Sequence, residues 1–247
     1  VNVDLICGLP LQTPERFRRT LELVAELRPD RVSLFSFAYL PAQLPLQRRI
    51  RREDLPAQTD RLTMLEGAHR LLLEAGYETI GMDHYALAGD SLAEAARTGQ
   101  LHRNFQGYTT GGEFDLLGVG PTAISQFPHL FSQNLRRLKP YYRALAEGRL
   151  PVERGLVVRD PELLERRALI HEVMCHFRVE LDPDRFATEW ADLRQLESDG
   201  LVLLRQPAAA GEPGLLEVTP RGRHLLRTIA AVFDPIQRQR ARGARLV

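Results

Sequence analysis

The amino-acid sequence predicts an α/β protein followed by a mostly helical, winged-helix-like C-terminal domain. An apolar run, an amphipathic helix and a second apolar run follow one another within about 40 residues, which is the length of a βαβ unit. The composition changes near residues 150–160, and helices with a short two-stranded wing follow that change. We therefore predict two domains, residues 1–155 and 156–247.

The N-terminal βαβ unit rests on local signals. Residues 1–6 are almost continuously apolar, which predicts a strand buried on both faces of a parallel sheet. Thr13 is the expected N-cap of the next helix and Pro29 its stop, and a second strand is predicted at residues 31–39. The helical positions expected to pack on the sheet are Phe17, Leu21, Val24 and Ala25.

The middle of the chain alternates further helices with one more strand. Helices are predicted at residues 57–75, 90–98 and 134–147, and a third strand at residues 77–82. The first of these helices is expected to close at Gly76. Its predicted core positions are Leu62, Leu65, Ala68 and Leu72.

The C-terminal part has the order of a winged helix. Asp160 and Asp182 are expected to cap two helices, and Thr219 a last one. Residues 201–204 and 215–218 predict the two strands of a hairpin, which lies between the second and the last of these helices. The basic tail is interpreted as a solvated helical face that carries Arg238, Arg240, Arg242 and Arg245.

Composition and charge exclude several classes of protein. The 33 Lys and Arg residues balance 32 Asp and Glu residues, so we predict no nucleic-acid partner. Without an apolar run of about 18 residues or a signal peptide, we expect no membrane span and a cytoplasmic location. Cys7 and Cys175 lie far apart without metal-ligand spacing, so both are expected in the core rather than in a disulfide.

The stretch most suited to ligand binding is residues 102–125, which reads HRNFQGYTTGGEFDLLGVGPTAIS. Its glycines let the backbone approach a ligand or another segment closely, and residues 115–120 predict a short buried strand. Arg103 is suited to gripping a substrate carboxylate, and a structural ion pair is an equal alternative. We predict no metal site, since ligand spacing is absent around His69, His84 and His102.

The sequence of residues 102–125 resembles that of the oxygen-independent coproporphyrinogen III oxidases, which are radical S-adenosylmethionine (SAM) enzymes of haem synthesis. Other similar segments are VDLICGLP at 3–10, PDRVS at 29–33, GMDH at 81–84 and VTPRGR at 218–223. The resemblance covers essentially the whole chain but only the later part of a family member. It implies the later strands and helices of a partial (β/α)6, TIM-like radical SAM barrel before the C-terminal domain.

The resemblance also implies an activity and its cofactors. The full-length enzyme is expected to decarboxylate coproporphyrinogen III oxidatively to protoporphyrinogen IX, through a 5′-deoxyadenosyl radical made from SAM. Two SAM molecules and a 4Fe-4S cluster are implied, but the Cys-x-x-x-Cys-x-x-Cys loop that holds the cluster is absent here. We therefore expect a fragment that is inactive alone, has no catalytic residue, and belongs to an enzyme that is monomeric when full length.

Three residues are expected to contact SAM by resemblance. Asp4 is read from its residue type either as a structural ion-pair or hydrogen-bond partner, or as a ligand acceptor at the C-terminal end of a barrel strand. The resemblance favours a contact with one of the two SAM molecules. Ala38 is expected to offer its backbone, although Phe37 stands where the family has Tyr. Ile124 is expected to pack near the adenine of the SAM bound at the cluster.

Two alternatives stay open. A haem chaperone related to this family is disfavoured because such relatives have Glu-Ile-Ser-Asn-Tyr-Ala where residues 81–86 read GMDHYA. A winged-helix DNA-binding regulator is disfavoured by the balanced charge.

Overall fold

The computed structural model describes residues 1–112, 114–209 and 212–237. They fall into a first unit, Val1–Thr98, and a second unit, Gly99–Val247. Each unit is compact in its own contacts, whereas the boundary predicted after residue 155 rests on a change in composition. The domains 1–155 and 156–247 stay a prediction. The predicted basic tail from Arg238 onwards lies outside the described residues.

The first unit is a four-stranded mixed sheet with helices. Its strands are β1 (Asn2–Cys7), β2 (Arg31–Ser36), β3 (Tyr77–Gly81) and β4 (His84–Leu87). Its helices are α1 (Pro14–Leu27), α2 (Gln58–Glu74) and α3 (Ser91–Thr98), with two short 3-10 turns at Pro45–Arg49 and Arg52–Asp54. The strand order is β1-β2-β4-β3, in which β1 and β2 are parallel and the other pairs are antiparallel.

Helix α1 confirms its predicted limits. The Thr13 hydroxyl accepts a hydrogen bond from the Arg16 N–H at 3.3 Å, and Pro14 is the first helical residue. Arg28 ends the helix in the left-handed region with a φ of 47°, directly before Pro29. The predicted core positions Phe17, Leu21 and Val24 are buried, while Ala25 is half-buried. The predicted βαβ unit is therefore present.

Helix α2 confirms the predicted element but not all of its core face. Ala68 and Leu72 are fully buried, as predicted, and Leu65 packs against the same core. The prediction for Leu62 is wrong, because its side chain is 52% exposed, and Met64 is buried instead. The apolar stripe is thus rotated toward Met64, a difference that spacing alone does not distinguish in a leucine-rich helix.

Strand β1 is not buried on both faces, and that prediction is wrong. Asn2, Asp4 and Ile6 are exposed, whereas Val3 and Leu5 pack against the core. Among the described strands β1 pairs only with β2, so it is an edge strand. The two polar side chains on one face are the sequence signal of that exposed side.

Strand β4 is absent from the sequence predictions, and a tight turn explains why. The predicted third strand ends at Gly81, and Met82 adopts a φ of 44°, which turns the chain back. Strand β4 then runs antiparallel between β2 and β3, with Tyr85 and Ala86 buried. The turn segment GMDH at residues 81–84 is similar to the family's sequence, but it contains none of the residue pairs that are typical of a tight hairpin turn.

The described residues of the second unit form three small sheets and four helices. Its strands are β5 (His102–Asn104), β6 (Gly107–Thr109), β7 (Ile124–Gln126), β8 (Leu130–Asn134), β9 (Val152–Val157), β10 (Arg178–Leu181), β11 (Val202–Arg205) and β12 (Gly214–Val218). Its helices are α4 (Leu138–Ala146), α5 (Pro161–His176), α6 (Ala187–Ser198) and α7 (Leu226–Ala231), the last preceded by a 3-10 turn at Gly222–Leu225. The sheets are β5-β6, β7-β8-β9 and β10-β12-β11.

Two predictions in the second unit are wrong. Residues 115–120 form no strand, since only an isolated bridge joins Leu116 to Gln126. Val119 is 85% exposed, and the left-handed φ of 108° at Gly120 breaks the extended run. The helix predicted from residue 134 begins at Leu138, because Asn134 ends strand β8.

The C-terminal elements largely confirm their predictions. The Asp160 carboxylate accepts the Glu162 N–H at 2.9 Å and caps α5. Strands β11 and β12 form the predicted antiparallel hairpin, with β10 as an additional partner. Asp182 caps only a turn by accepting the N–H of Asp184, so α6 begins later than predicted. The mixed α/β class is confirmed, and among the described residues no helix is long and apolar enough to cross a membrane.

Candidate functional site

A cavity of about 340 Å³ in the second unit is the candidate site. Its walls are the β5–β6 ribbon, part of the β7–β8 hairpin and one face of α5, together with Gly111, Gly112, Phe114 and Leu116. Nine residues of the stretch at 102–125 therefore line one space. The side chains that matter chemically are His102, Arg103, Arg167 and His171.

The β5–β6 ribbon is shaped by its turn. The Asn104 side-chain oxygen accepts the backbone N–H of Gln106 at 2.8 Å and of Gly107 at 3.2 Å, which closes a tight turn. This turn pairs His102 with Thr109 and Arg103 with Tyr108. The turn thereby places His102 and Arg103 directly opposite the strand that carries Tyr108.

The predicted role of the glycines is confirmed at two positions. A Cβ on Gly112 would overlap the imidazole ring of His102. A Cβ on Gly111 would lie 2.8 Å from Cδ2 of Phe114. Both glycines therefore allow the loop to pass directly over side chains of the cavity.

Two guanidinium groups reach the cavity from different walls. Arg103 lies over the Tyr108 ring at 5.6 Å, and its Nε is buried without a hydrogen-bond partner among the described residues. Arg167 lies over the Phe131 ring at 4.8 Å, and burial lowers the pKa of its guanidinium. Among the described residues no carboxylate makes a salt bridge within 4.0 Å of either group.

Two histidine rings face each other on the same side of the cavity. The centroids of His102 and His171 are 5.1 Å apart. Burial lowers the pKa of His171, and the neighbouring His102 adds to that effect, while Glu172 opposes it. His171 is therefore neutral at pH 7, with a ring nitrogen able to accept a hydrogen bond or bind a metal ion.

Potential metal ligands lie at the end of α5. His171, Glu172 and His176 each offer a donor atom, and these atoms lie within 4.8 Å of one another. The prediction of no metal site rests on His69, His84 and His102 and does not cover this group. The signal is the segment HEVMCH at 171–176, whose spacing differs from His-x-x-x-His.

The two cysteines are buried, as predicted. Burial raises the pKa of Cys7 to about 11, against a smaller opposite effect of Arg61. Burial likewise raises the pKa of Cys175 to about 12. Both side chains are thus protonated thiols at pH 7, which are poor nucleophiles and poor metal ligands.

Both thiols are expected to resist iodoacetamide at about pH 8 in the folded protein, because only thiolates react and neither thiol ionises there. The same reagent in urea should label both. In the unfolded chain a thiol has its ordinary pKa, 9.0, and loses its proton earlier than in the fold. Stability is therefore expected to fall as the pH rises above 9.0, toward the raised values. Mass spectrometry after labelling and urea melts across that range measure both effects, and native labelling at the urea rate would contradict them.

The structure places the three predicted SAM contacts as follows. Asp4 lies in the middle of β1, so its expected position at the strand's C-terminal end is wrong; the last residue of that strand is Cys7. The exposed Asp4 carboxylate accepts a hydrogen bond from the Asn2 side chain at 2.7 Å. Ala38 follows the adjacent strand β2, and its carbonyl accepts a hydrogen bond from Gln47 at 2.9 Å. Both belong to the first unit.

Ile124 belongs to the second unit and ends a tight arch of residues 118–124. The side chain of Asn134 donates hydrogen bonds to the carbonyls of Gly118 at 3.1 Å and Gly120 at 3.0 Å. A Cβ on Gly118 would lie 2.6 Å from the Ile124 carbonyl oxygen. The arch therefore requires glycine and leaves Ile124 half-buried at the start of β7.

Several proteins of one name are similar to this chain in sequence. No protein-family model matches the chain. A relative from Synechocystis sp. named oxygen-independent coproporphyrinogen III oxidase is 45% identical over 248 residues, covering 95% of this chain and 52% of the relative. The protein of that name from Escherichia coli is 43% identical, with 98% and 53% covered. The one from Thermostichus vulcanus is 43% identical, with 98% and 75% covered.

A solved structure also resembles this chain. Coproporphyrinogen III oxidase (HemN) from Escherichia coli, described as a radical SAM enzyme, superposes with a TM-score of 0.85 at 42% identity. The match covers 95% of this chain and 55% of that structure. The chain thus spans about half the length of the first relatives it matches.

Proposed function

Because the chain belongs to the oxygen-independent coproporphyrinogen III oxidase family, we propose that it serves the oxidative decarboxylation of coproporphyrinogen III to protoporphyrinogen IX in haem biosynthesis. The likeness of nearly the whole chain to proteins of that name carries the proposal. Those names also favour an oxidase over the haem chaperone and the DNA-binding regulator. A cytoplasmic location, a monomeric full-length enzyme and the absence of a nucleic-acid partner stay predictions.

The residues of this chain fit one of the implied cofactors and not the other. SAM and a 4Fe-4S cluster together supply the one-electron chemistry that removes a hydrogen atom from a propionate side chain. Cluster ligands are thiolates, whereas Cys7 and Cys175 are buried thiols with pKa values raised to about 11 and about 12. These two residues therefore do not fit a 4Fe-4S cluster. For SAM, the exposed Asp4 carboxylate is a suitable acceptor for a ribose diol.

We also propose the finer architecture of the family for this chain. The parallel β1–β2 pair joined by α1 supports a place in a partial (β/α)6 barrel. Helices α5 and α6 with the β11–β12 hairpin support a winged-helix-like domain at residues 156–247. Within that frame, Asp4, Ala38 and Ile124 are the proposed SAM contacts.

In the full-length enzyme, replacing Asp4 with asparagine is expected to weaken SAM binding about 10–150-fold, because a charge-assisted hydrogen bond worth about 1.5–3 kcal/mol is lost. The side chain is exposed, so the melting temperature should not change. Equilibrium dialysis with labelled SAM measures the affinity, and a thermal melt measures the melting temperature, of the wild type and the variant side by side. Glu26→Gln, at an exposed position of α1, is the matched control. Unchanged SAM affinity with a lowered melting temperature would make Asp4 a structural residue.

A segment exchange tests the proposed function. In the Synechocystis relative, the segment of 248 aligned residues is replaced by this chain, and the purified chimera is assayed anaerobically with SAM, a reductant and coproporphyrinogen III. Protoporphyrin, measured by fluorescence after oxidation, is expected to form, and the relative without the segment is the control. A folded chimera that cleaves SAM without forming protoporphyrin would contradict the proposal. Stoichiometric haem binding in place of turnover would favour the chaperone.

A further inference from the structure

We propose that the cavity of the second unit is a carboxylate-binding site, in which Arg103 and Arg167 hold a propionate side chain of a tetrapyrrole. The proposal deepens the function proposed above and rests on it for the identity of the ligand. What carries it is the juxtaposition of two guanidinium groups in one cavity, neither paired with a carboxylate among the described residues.

The first of these groups is fixed in place but incompletely bonded. Arg103 lies over the ring of Tyr108, whose hydroxyl donates a hydrogen bond to the Met174 carbonyl on α5 at 2.8 Å. The Tyr108 ring beneath the guanidinium is therefore held by a hydrogen bond to α5, which forms another wall of the cavity. The buried Nε of Arg103 has no acceptor among the described residues, and a buried donor without an acceptor is destabilising. A ligand oxygen that accepts a hydrogen bond from this Nε–H would supply the missing acceptor.

The second group comes from α5 and is oriented by two contacts. Arg167 lies over the ring of Phe131, and its Nη1 donates a hydrogen bond to the Pro128 carbonyl at 3.0 Å. A guanidinium has five N–H donors in a fixed fork, so this bond leaves others available. Arginine stays charged at neutral pH even where burial lowers its pKa.

The rest of the cavity suits a carboxylate on an apolar body. No Asp or Glu is among the described residues that line it, so none of these side chains repels an anion. Phe105, Phe114 and Phe131 contribute aromatic surface beside the two cations. A volume of about 340 Å³ is at the low end of the range of about 300–1,000 Å³ for ligand pockets. The cavity therefore fits one acidic arm with part of its ring rather than a whole macrocycle.

Carboxylate is favoured because a guanidinium fork matches its two oxygens. Coproporphyrinogen III carries propionate side chains, which are carboxylates on short apolar stems. A propionate reaching this cavity would be held by charge at its end and by aromatic side chains along its stem. Arg103 and Arg167 would then position the substrate, and neither takes part in bond breaking.

A binding titration of the full 247-residue chain tests the proposal. The probe is coproporphyrin III, the stable oxidised form of the substrate, followed by its fluorescence. Its tetramethyl ester, which lacks the carboxylates, is the ligand control. Arg103→Gln and Arg167→Gln are each expected to weaken binding about 10–150-fold, the effect of losing a charge-assisted hydrogen bond. Arg143→Gln, on the exposed face of α4, should leave affinity unchanged.

Further variants keep the outcome decisive. Lysine at either position keeps the charge but not the fork, so Arg103→Lys and Arg167→Lys should recover only part of the affinity. Far-UV circular dichroism and thermal melts of each variant separate lost binding from lost folding. Equal binding of the ester, absence of coproporphyrin binding, affinity unchanged in both glutamine variants, or displacement by millimolar inorganic phosphate would each overturn the proposal.

The two functional ideas fail separately. If the chimera forms protoporphyrin while the glutamine variants bind coproporphyrin normally, the proposed function stands and the carboxylate site is wrong. If arginine-dependent binding is found while the folded chimera forms no protoporphyrin, the site stands as a tetrapyrrole-carboxylate site and the proposed reaction is wrong.

Discussion

Replacing Arg166 with methionine is expected to lower the free energy of unfolding by about 3–5 kcal/mol, because it breaks a buried ion pair with Glu189. Arg166 Nη1 donates to Glu189 Oε1 at 2.8 Å, and the Glu189 side chain is only 5% exposed. The same guanidinium donates to Glu162 at 2.9 Å, but that carboxylate is solvated and contributes little. The effect should therefore come almost wholly from Glu189.

Urea denaturation of the variant and the wild type measures this change. The double variant Arg166→Met with Glu189→Leu should recover most of the stability, since a buried pair replaced by apolar side chains is often neutral. Arg18→Met is the matched control, because Arg18 forms an ion pair with Glu22 on the exposed surface of α1. That change should cost less than about 1 kcal/mol. A loss that is equally small at Arg166 would contradict the assignment.

Replacing Gly222 with alanine is expected to destabilise the protein by about 3 kcal/mol, at the upper end of typical overpacking effects. An added Cβ would overlap the carbonyl oxygen of Leu201 and lie 3.0 Å from Cγ1 of Val218. The obstacle is backbone, so no side-chain rotation relieves it. The Gly222 N–H also donates to the Thr219 hydroxyl at 3.0 Å, which holds the turn against the β11–β12 hairpin.

Thermal melts of two alanine variants test this expectation. Gly67, in the interior of α2, has open space where a Cβ would be placed. Gly67→Ala should therefore be neutral or stabilise by up to about 1 kcal/mol, since alanine favours helix. Equal melting temperatures for the Gly222 and Gly67 variants would show that the turn can shift at little cost.

Local signals in the sequence predicted the parts of the fold that depend on local chemistry. The capping residue Thr13 and the stop at Pro29 marked α1 correctly, and Asp160 marked the start of α5. The strand predicted at residues 115–120 is wrong because apolar composition does not reveal the arch that Gly118 and Gly120 form. The exposed face of β1 was missed because burial depends on neighbouring strands, which composition does not specify.

The candidate site was only partly accessible to sequence reasoning for a similar reason. Arg103 lies in the distinctive stretch, and its residue type favours a structural ion pair at least as much as a contact with a substrate carboxylate. Arg167 and His171 lie on α5, far along the chain, and only the folded second unit brings them to the same cavity. Long-range proximity of this kind leaves no periodic signal in one sequence.

The β5–β6 ribbon has a dynamic consequence for this cavity. Each strand has only three residues, and the described sheet contains no third strand. Such ribbons are marginal by themselves, so their amide hydrogens exchange through local opening rather than global unfolding. The central strands β2 and β4 of the first unit, with a neighbour on each side, should exchange far more slowly. Since Arg103 lies on β5, a bound anion that links it to α5 would raise the opening free energy of the ribbon and slow its exchange.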